Sequence, residues 1–215
     1  ACYHAQGEFR NAIDDYSEAL KLKPDETDIY LHRAQALAKY GKTNEAIKDY
    51  SAVIKNDRTD AENLYQRAAL YFELKKYSKA IGDYYTIEEI HAEVSPYQYI
   101  ADVYRNRAEA EQLLHNFSAA IKDYTKLIEL EPTTENFYKR AVAYIKTEAF
   151  AQAMEDASKG LSIENDNAEL LLLRGSLFEK EGDVASACMD FKLAIATGKV
   201  NQAKVLEFVE KNCGE

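Results

Sequence analysis

A six-fold recurrence constrains the fold of this chain more than any other feature. The segments Phe9–Tyr16, Thr43–Tyr50, Tyr77–Tyr84, Phe117–Tyr124, Phe150–Ala157 and Val184–Phe191 each carry an alanine followed three residues later by an aspartate. The aspartates stand at 15, 49, 83, 123, 156 and 190, so the intervals are 34, 34, 40, 33 and 34 residues. A period of this length marks a repeat architecture, because one such unit is too small to bury its apolar face alone and does so against its neighbours.

Each period holds two amphipathic patterns joined by a short turn, for instance Tyr30 to Lys39 and Asn44 to Lys55, and reads as an antiparallel helix pair, A then B. Small residues recur in both helices: Ala34, Ala68, Ala108, Ala141 and Gly175 in helix A, and Ala12, Ala46, Ala80, Ala120, Ala153 and Ala187 in helix B. They let the two backbones approach, and the aromatic four residues after the helix B alanine (Tyr16, Tyr50, Tyr84, Tyr124, Phe191) fills the space beside the contact. Only 8 Gly and 3 Pro interrupt the 215 residues, so the fold class is all-α. A net charge of −10 argues against nucleic-acid binding, which needs a basic surface, and no apolar run is long enough to span a bilayer.

These residues resemble the tetratricopeptide repeat (TPR). Helix A has a bulky residue early (Tyr30, Leu64, Tyr104, Phe137, Leu171) and a small one four further on; a turn glycine (Gly7, Gly41, Gly182) and a closing proline (Pro24, Pro132) complete the pattern. The resemblance covers essentially the whole chain. Departures are Arg58, Ala92, Asn165 and Lys199 at the proline position, Glu88 at a normally apolar site and Ala157 in place of an aromatic. The resemblance implies a right-handed α-solenoid whose A helices line a concave surface. Register divides it into a partial repeat over 1–26, repeats over 27–60, 61–94, 95–134, 135–167 and 168–199, and a capping helix over 200–213 that covers the last apolar face. Ala1 aligns with the middle of a helix A. The interval of 40 places an insert at Ser95–Ile100, with Ser95 as cap and Pro96 opening a helix A extended to Leu114. Tyr97 and Tyr99 on that extension are either an indifferent insertion or a binding or dimer surface.

Two charged rows run along the repeats. Arg33, Arg67, Arg107, Arg140 and Arg174 recur in step with Asp15, Asp49, Asp83, Asp123, Asp156 and Asp190, which reads as a ladder of ion pairs between helices. The alternative is a row of arginines awaiting an anionic ligand. The first turns of the A helices hold Asp28, Glu62, Asp102, Glu135 and Glu169, which offset the helix dipole and also attract a basic partner.

The concave surface that the resemblance implies would present Leu31, His32, Gln35, Tyr65, Gln66, Phe72, Arg105, Asn106, Glu109, Tyr138, Lys139, Leu172 and Ser176. Aromatic anchors beside hydrogen-bonding groups suit a peptide in a groove; the alternative is that some of the apolar members pack into the next repeat. Family members that clamp acidic chaperone tails use Lys and Asn, then Asn, then Lys and Arg on successive A helices. Here those places hold Leu31 and Gln35, Gln66, then Asp102 and Asn106, which make no carboxylate clamp.

Of the three cysteines, Cys188 stands at an apolar helix B position and Cys213 ends the terminal helix. The closing stretch resembles the C-terminal ends of some bacterial members of the family, and this raises a Cys188–Cys213 disulfide; a buried thiol at Cys188 is the alternative. Ala1-Cys2 resembles the cleavage point of a bacterial lipoprotein signal, so the compartment is open between cytoplasm and bacterial cell envelope. No phosphate loop, nucleophile elbow or His-Glu-x-x-His is present, and His4, His32, His91 and His115 lack metal-ligand spacing. The expectation is a non-enzymatic scaffold, without cofactor or metal, that binds a basic or aromatic peptide or protein. An accessory region of a larger enzyme or chaperone and a self-assembling adaptor (a homo-oligomer) are the alternatives.

Overall fold

A computed structural model describes residues 2–94, 96–198 and 203–214, with side chains from residue 7 onward. Twelve helices account for nearly all of the described residues, and no strand is present among them. They form two compact units, Ala1–Leu114 and His115–Glu215. The first holds α1 (Cys2–Leu22), α2 (Thr27–Tyr40), α3 (Thr43–Asn56), α4 (Ala61–Glu73), α5 (Tyr77–Glu93) and α6 (Ile100–Leu113). The second holds α7 (Phe117–Leu130), α8 (Thr134–Lys146), α9 (Phe150–Ile163), α10 (Ala168–Glu181), α11 (Val184–Ala196) and α12 (Ala203–Asn212). Within each unit successive helices pack on one another, so each is a stretch of α-solenoid.

The hairpin turns show how the sequence closes each helix A. Gly41 adopts φ 87°, its N–H reaches the Ala38 carbonyl, and the N–H of Lys42 reaches Leu37, so two terminal carbonyls of α2 are satisfied. Gly182 does the same after α10. Lys75, His115 and Glu148 hold the left-handed conformation elsewhere, at φ 57°, 61° and 60°, so glycine is dispensable at this turn. The side chains of Asp60, Thr133, Asn167 and Asp183 cap the starts of α4, α8, α10 and α11 by accepting a backbone N–H.

Gly7, expected as a turn glycine, lies inside α1, which runs unbroken from Cys2 to Leu22. Continuing one helix keeps the backbone hydrogen-bonded at a cost of about 1 kcal/mol for the glycine.

The insert also folds differently from expectation. α6 begins at Ile100 and has 14 residues like its counterparts, whereas α5 lengthens to 17. The chain then turns back through residues 96–99, where the Tyr97 N–H donates to Nδ1 of His91. That bond, together with contacts of the Tyr97 ring described below, holds the segment down on the unit instead of extending a helix. The proposed cap Ser95 and the closing position Lys199 lie outside the described residues. So does the start of the expected capping helix at 200–202; its described part is α12.

Small residues form the seams. Ala34, Ala46, Ala68, Ala80, Ala141 and Ala153 are fully buried. In α9, Ala157 and Gly160 make room where other repeats place an aromatic: a Cβ on Gly160 would meet Leu170 at 2.4 Å, and Leu170 and Leu171 join Ala157 and Leu161 in one buried cluster. Gly175 replaces the usual helix A alanine, because the Phe191 ring occupies that space; an added Cβ would meet ring carbons at 2.6 and 2.8 Å. Gly175→Ala therefore overpacks this seam and should lower stability by about 1–3 kcal/mol in chemical denaturation, whereas Gly82→Ala, with nothing within 4 Å of its Cβ, should not.

Candidate functional site

Four of the repeated arginines lie on α2, α4, α8 and α10, each between two B helices. Arg33 donates from Nε and Nη2 to both carboxylate oxygens of Asp49, at 2.7 and 2.9 Å. Arg67 holds Asp83 at 2.9 and 2.7 Å, Arg140 holds Asp156 at 2.7 and 2.7 Å, and Arg174 holds Asp190 at 2.7 and 2.8 Å. The third corner of each fork turns to the preceding B helix: Nη1 donates to Ser17, Ser51, Thr125 and Ser158 at 3.2, 3.0, 3.0 and 3.5 Å. Ser17, Ser51 and Thr125 pass their own hydrogens to carbonyls four residues back. One guanidinium thus ties three helices, and the aspartates are nearly inaccessible. Sequence reasoning missed the hydroxyl, although its signal was present two residues after Asp15, Asp49, Asp123 and Asp156.

Two members depart from the pattern. Asp15 is exposed, and Arg33, Arg67, Arg140 and Arg174 hold other aspartates. Arg107 is 2% exposed and lies 4.1 Å over the Tyr85 ring, which stands where other repeats have the hydroxyl, while its Nη2 bonds Glu88 at 2.6 Å. Glu88 at an apolar position thereby acquires a structural reason. Asp123 is buried in α7.

The outward face of α4 and α6 in the first unit carries a connected polar-aromatic cluster. Asn106 Nδ2 donates to the Tyr65 hydroxyl at 3.0 Å; the Tyr65 ring lies 6.2 Å from Tyr84 and 6.3 Å from Tyr97. The Tyr97 hydroxyl donates to Glu62 Oε2 at 3.0 Å, and Gln66 donates to Oε1 at 2.7 Å. Burial and the bond to Glu62 push the Tyr97 phenol well above its usual range, and burial followed by the Asp102 charge raises Tyr65. A cleft of ≈ 700 Å³ opens beside the cluster, between the start of α4, Ile90 and residues 96–99, with Tyr99 on its wall 47% exposed. Asp60 and Glu62 at its edge accept only from neutral donors, and no cation of the described residues pairs with either. By contrast, Asp102 pairs with Arg105, and Glu135 with Lys139 at 3.0 Å.

The remaining expected groove residues divide. His32, Gln35, Gln66 and Ser176 are exposed, while Leu31, Arg105, Glu109 and Lys139 are half-buried. His32 stacks on Tyr16 and bonds the Asp28 carbonyl at 2.6 Å. Phe72 packs edge-on against Tyr77 of its own hairpin, and Tyr138 and Leu172 pack on the Leu161–Leu171 cluster; all three are half-buried, as Tyr65 is. Sequence alone did not separate them from Tyr65, because helical spacing says which face a residue is on but not what packs against it.

Family profiles match this geometry: a TPR repeat over residues 2–41 and a tetratricopeptide repeat over residues 34–92. Residues 2–92 are matched as tetratricopeptide repeats. TPR folds of this kind are protein-interaction scaffolds. Among solved structures, YrrB, described as a TPR protein with an unusual peptide-binding site, superposes with a TM-score of 0.70 at 14% identity, covering 91% of this chain and 97% of that one. MamA superposes with a TM-score of 0.68 at 21% identity, over 82% of this chain and 97% of its own; both likenesses are of fold. A tetratricopeptide repeat and J domain-containing co-chaperone of Cryptococcus neoformans is 34% identical over 92 residues, 42% of this chain. The TPR chain spans only 18% of that relative's length. Among the described residues no helix is long and apolar enough to cross a membrane, and no cluster of three or more metal-ligating side chains occurs.

Asp49→Ala would leave Arg33 half-buried with Ser17 alone, and should cost about 3 kcal/mol in thermal or urea unfolding; an unchanged transition would show that the pair contributes nothing. Burial, reinforced by Glu62, pushes the Tyr50 phenol up to about 12 from an ordinary 10.0. A phenol raised in the folded state contributes stability that is whole below about pH 10 and lost as pH rises towards 12. Alkaline unfolding should therefore begin in that window, and Tyr50→Phe should move its midpoint to higher pH.

Proposed function

We propose that this TPR array is a non-catalytic scaffold that binds a basic peptide or protein segment on the A-helix face of its first unit. The observation that carries the reading is the cluster of Tyr65, Asn106, Tyr97 and Glu62 beside an open cleft. Rings held by hydrogen bonds are pre-ordered anchors, which keeps the entropy cost of binding low. Glu62 and Asp60 carry charge matched only by neutral donors, so an incoming arginine or lysine is attracted without displacing an internal cation. The arginines of the ladder, held by aspartate and hydroxyl, are poorly placed to draw an acidic ligand.

A second reading places the array as the partner-binding region of a larger chaperone, favoured by the likeness to a J domain-containing co-chaperone of which it would be a part. The two readings share the same binding face.

The test is selection from a random peptide library on the folded chain, followed by titration of the best peptide. A lysine- or arginine-rich peptide should emerge, weaken about tenfold or more with Glu62→Gln plus Tyr65→Ala, and weaken with added salt. Selection of acidic peptides, or binding indifferent to both substitutions while circular dichroism is unchanged, would refute this reading.

A further inference from the structure

The last helix is fastened unlike any other. Cys213, just beyond the end of α12, is joined by a disulfide to Cys188 of α11, and Lys192 of α11 donates to the Gly214 carbonyl at 2.8 Å. Both ties act at the C-terminal end of α12. Along its length the apolar contact is small: Val205 is buried, Phe208 meets Phe191 edge-on at 5.2 Å, and Val209 is half-buried.

The other long side of α12 is not packed. A cleft of ≈ 440 Å³ separates it from α10, floored by Phe191 and Phe208. Glu179, Lys204, Glu207 and Lys211 line this cleft, and none makes an ion pair among the described residues. Interlocked helices leave no room of this size between them. A helix of 10 residues has little stability of its own in water. Val205, Phe208 and Val209 pack on the Phe191 cluster and no ion pair among the described residues assists them, so in a helix this short the covalent bond carries a large share of the seating. Cys188 is half-buried and Cys213 is buried.

We infer that α12 is a redox-released strap, seated over the Phe191 face of the last hairpin while the Cys188–Cys213 bond is intact and detached when a dithiol reduces it. The exchange balances as attack of a thiolate on one sulfur of the bond, a mixed disulfide, and its resolution by the second thiol of the reductant. Two cysteine thiols form and the dithiol becomes a disulfide, with two electrons and two protons transferred. Release removes the high effective concentration at which the tether holds α12 against α11. It also uncovers Phe191, which is 1% exposed when the strap is seated. The inference is independent of the partner-binding face in the first unit.

Hydrogen exchange read by mass spectrometry on the whole chain tests this, before and after incubation with dithiothreitol. In the oxidised protein, amides of residues 203–212 should exchange at least tenfold more slowly than in the reduced one, while α8–α10 keep their protection in both. Cys188→Ser should reproduce the reduced pattern without reductant. Phe208→Ala in the oxidised protein should leave α12 more protected than reduction does, since the bond and not the ring is the main fastening. Equal exchange of 203–212 in oxidised and reduced protein would overturn the inference. So would Phe208→Ala opening α12 as far as reduction does, or loss of protection throughout α7–α11 on reduction, which would make the bond a general stabiliser and not a strap.

Discussion

The three-way bond of each repeat arginine is the constraint on which the rest of the structure depends. A guanidinium has a fixed planar fork, so a carboxylate on one neighbouring helix and a hydroxyl on another determine the distance and rotation of all three helices at once. Apolar seams are less particular: alanine against alanine tolerates sliding along the helix. Because Arg33, Arg67, Arg140 and Arg174 make the same bonds at nearly the same offsets, each hairpin receives the same placement on the one before it. Leaving one partner out would strand a half-buried charge, so the ladder specifies geometry at least as much as it adds stability.

The third repeat changes one corner of the fork. Tyr85 stands at the hydroxyl position with Arg107 over its ring, and Glu88, at an otherwise apolar position, bonds a guanidinium nitrogen. The same repeat carries the longer α5 and the turned-back segment at 96–99, whose Tyr97 reaches Glu62 and Tyr65 on α4. The altered corner of the fork, the insertion and the proposed binding cluster therefore coincide in one place. A regular stack offers the same surface at every step, and it is the departure from regularity that makes one part of this chain chemically distinct from the others.

Much of the candidate site was legible as residue type and face but not as arrangement. Tyr65, Gln66 and Asn106 are expected on the groove face of helix A because the family resemblance implies it for residues outside the repeated core pattern, and the structure has Asn106 donating to Tyr65 and Gln66 to Glu62. Tyr138, Leu172 and Phe72 meet the same criterion and pack on the Leu161–Leu171 cluster or on Tyr77.

By itself the sequence determined the all-α repeat, its period, the seams of small residues and the pairing of arginine with aspartate, because each is periodic and a period survives without coordinates. Only tertiary structure decided that Gly7 continues a helix, that the insert folds back instead of extending α6, that serine or threonine completes the arginine fork, and that a disulfide ties the end of α12 to α11. Those outcomes depend on single events at single places, where competing local conformations differ by little and the neighbouring surface chooses between them.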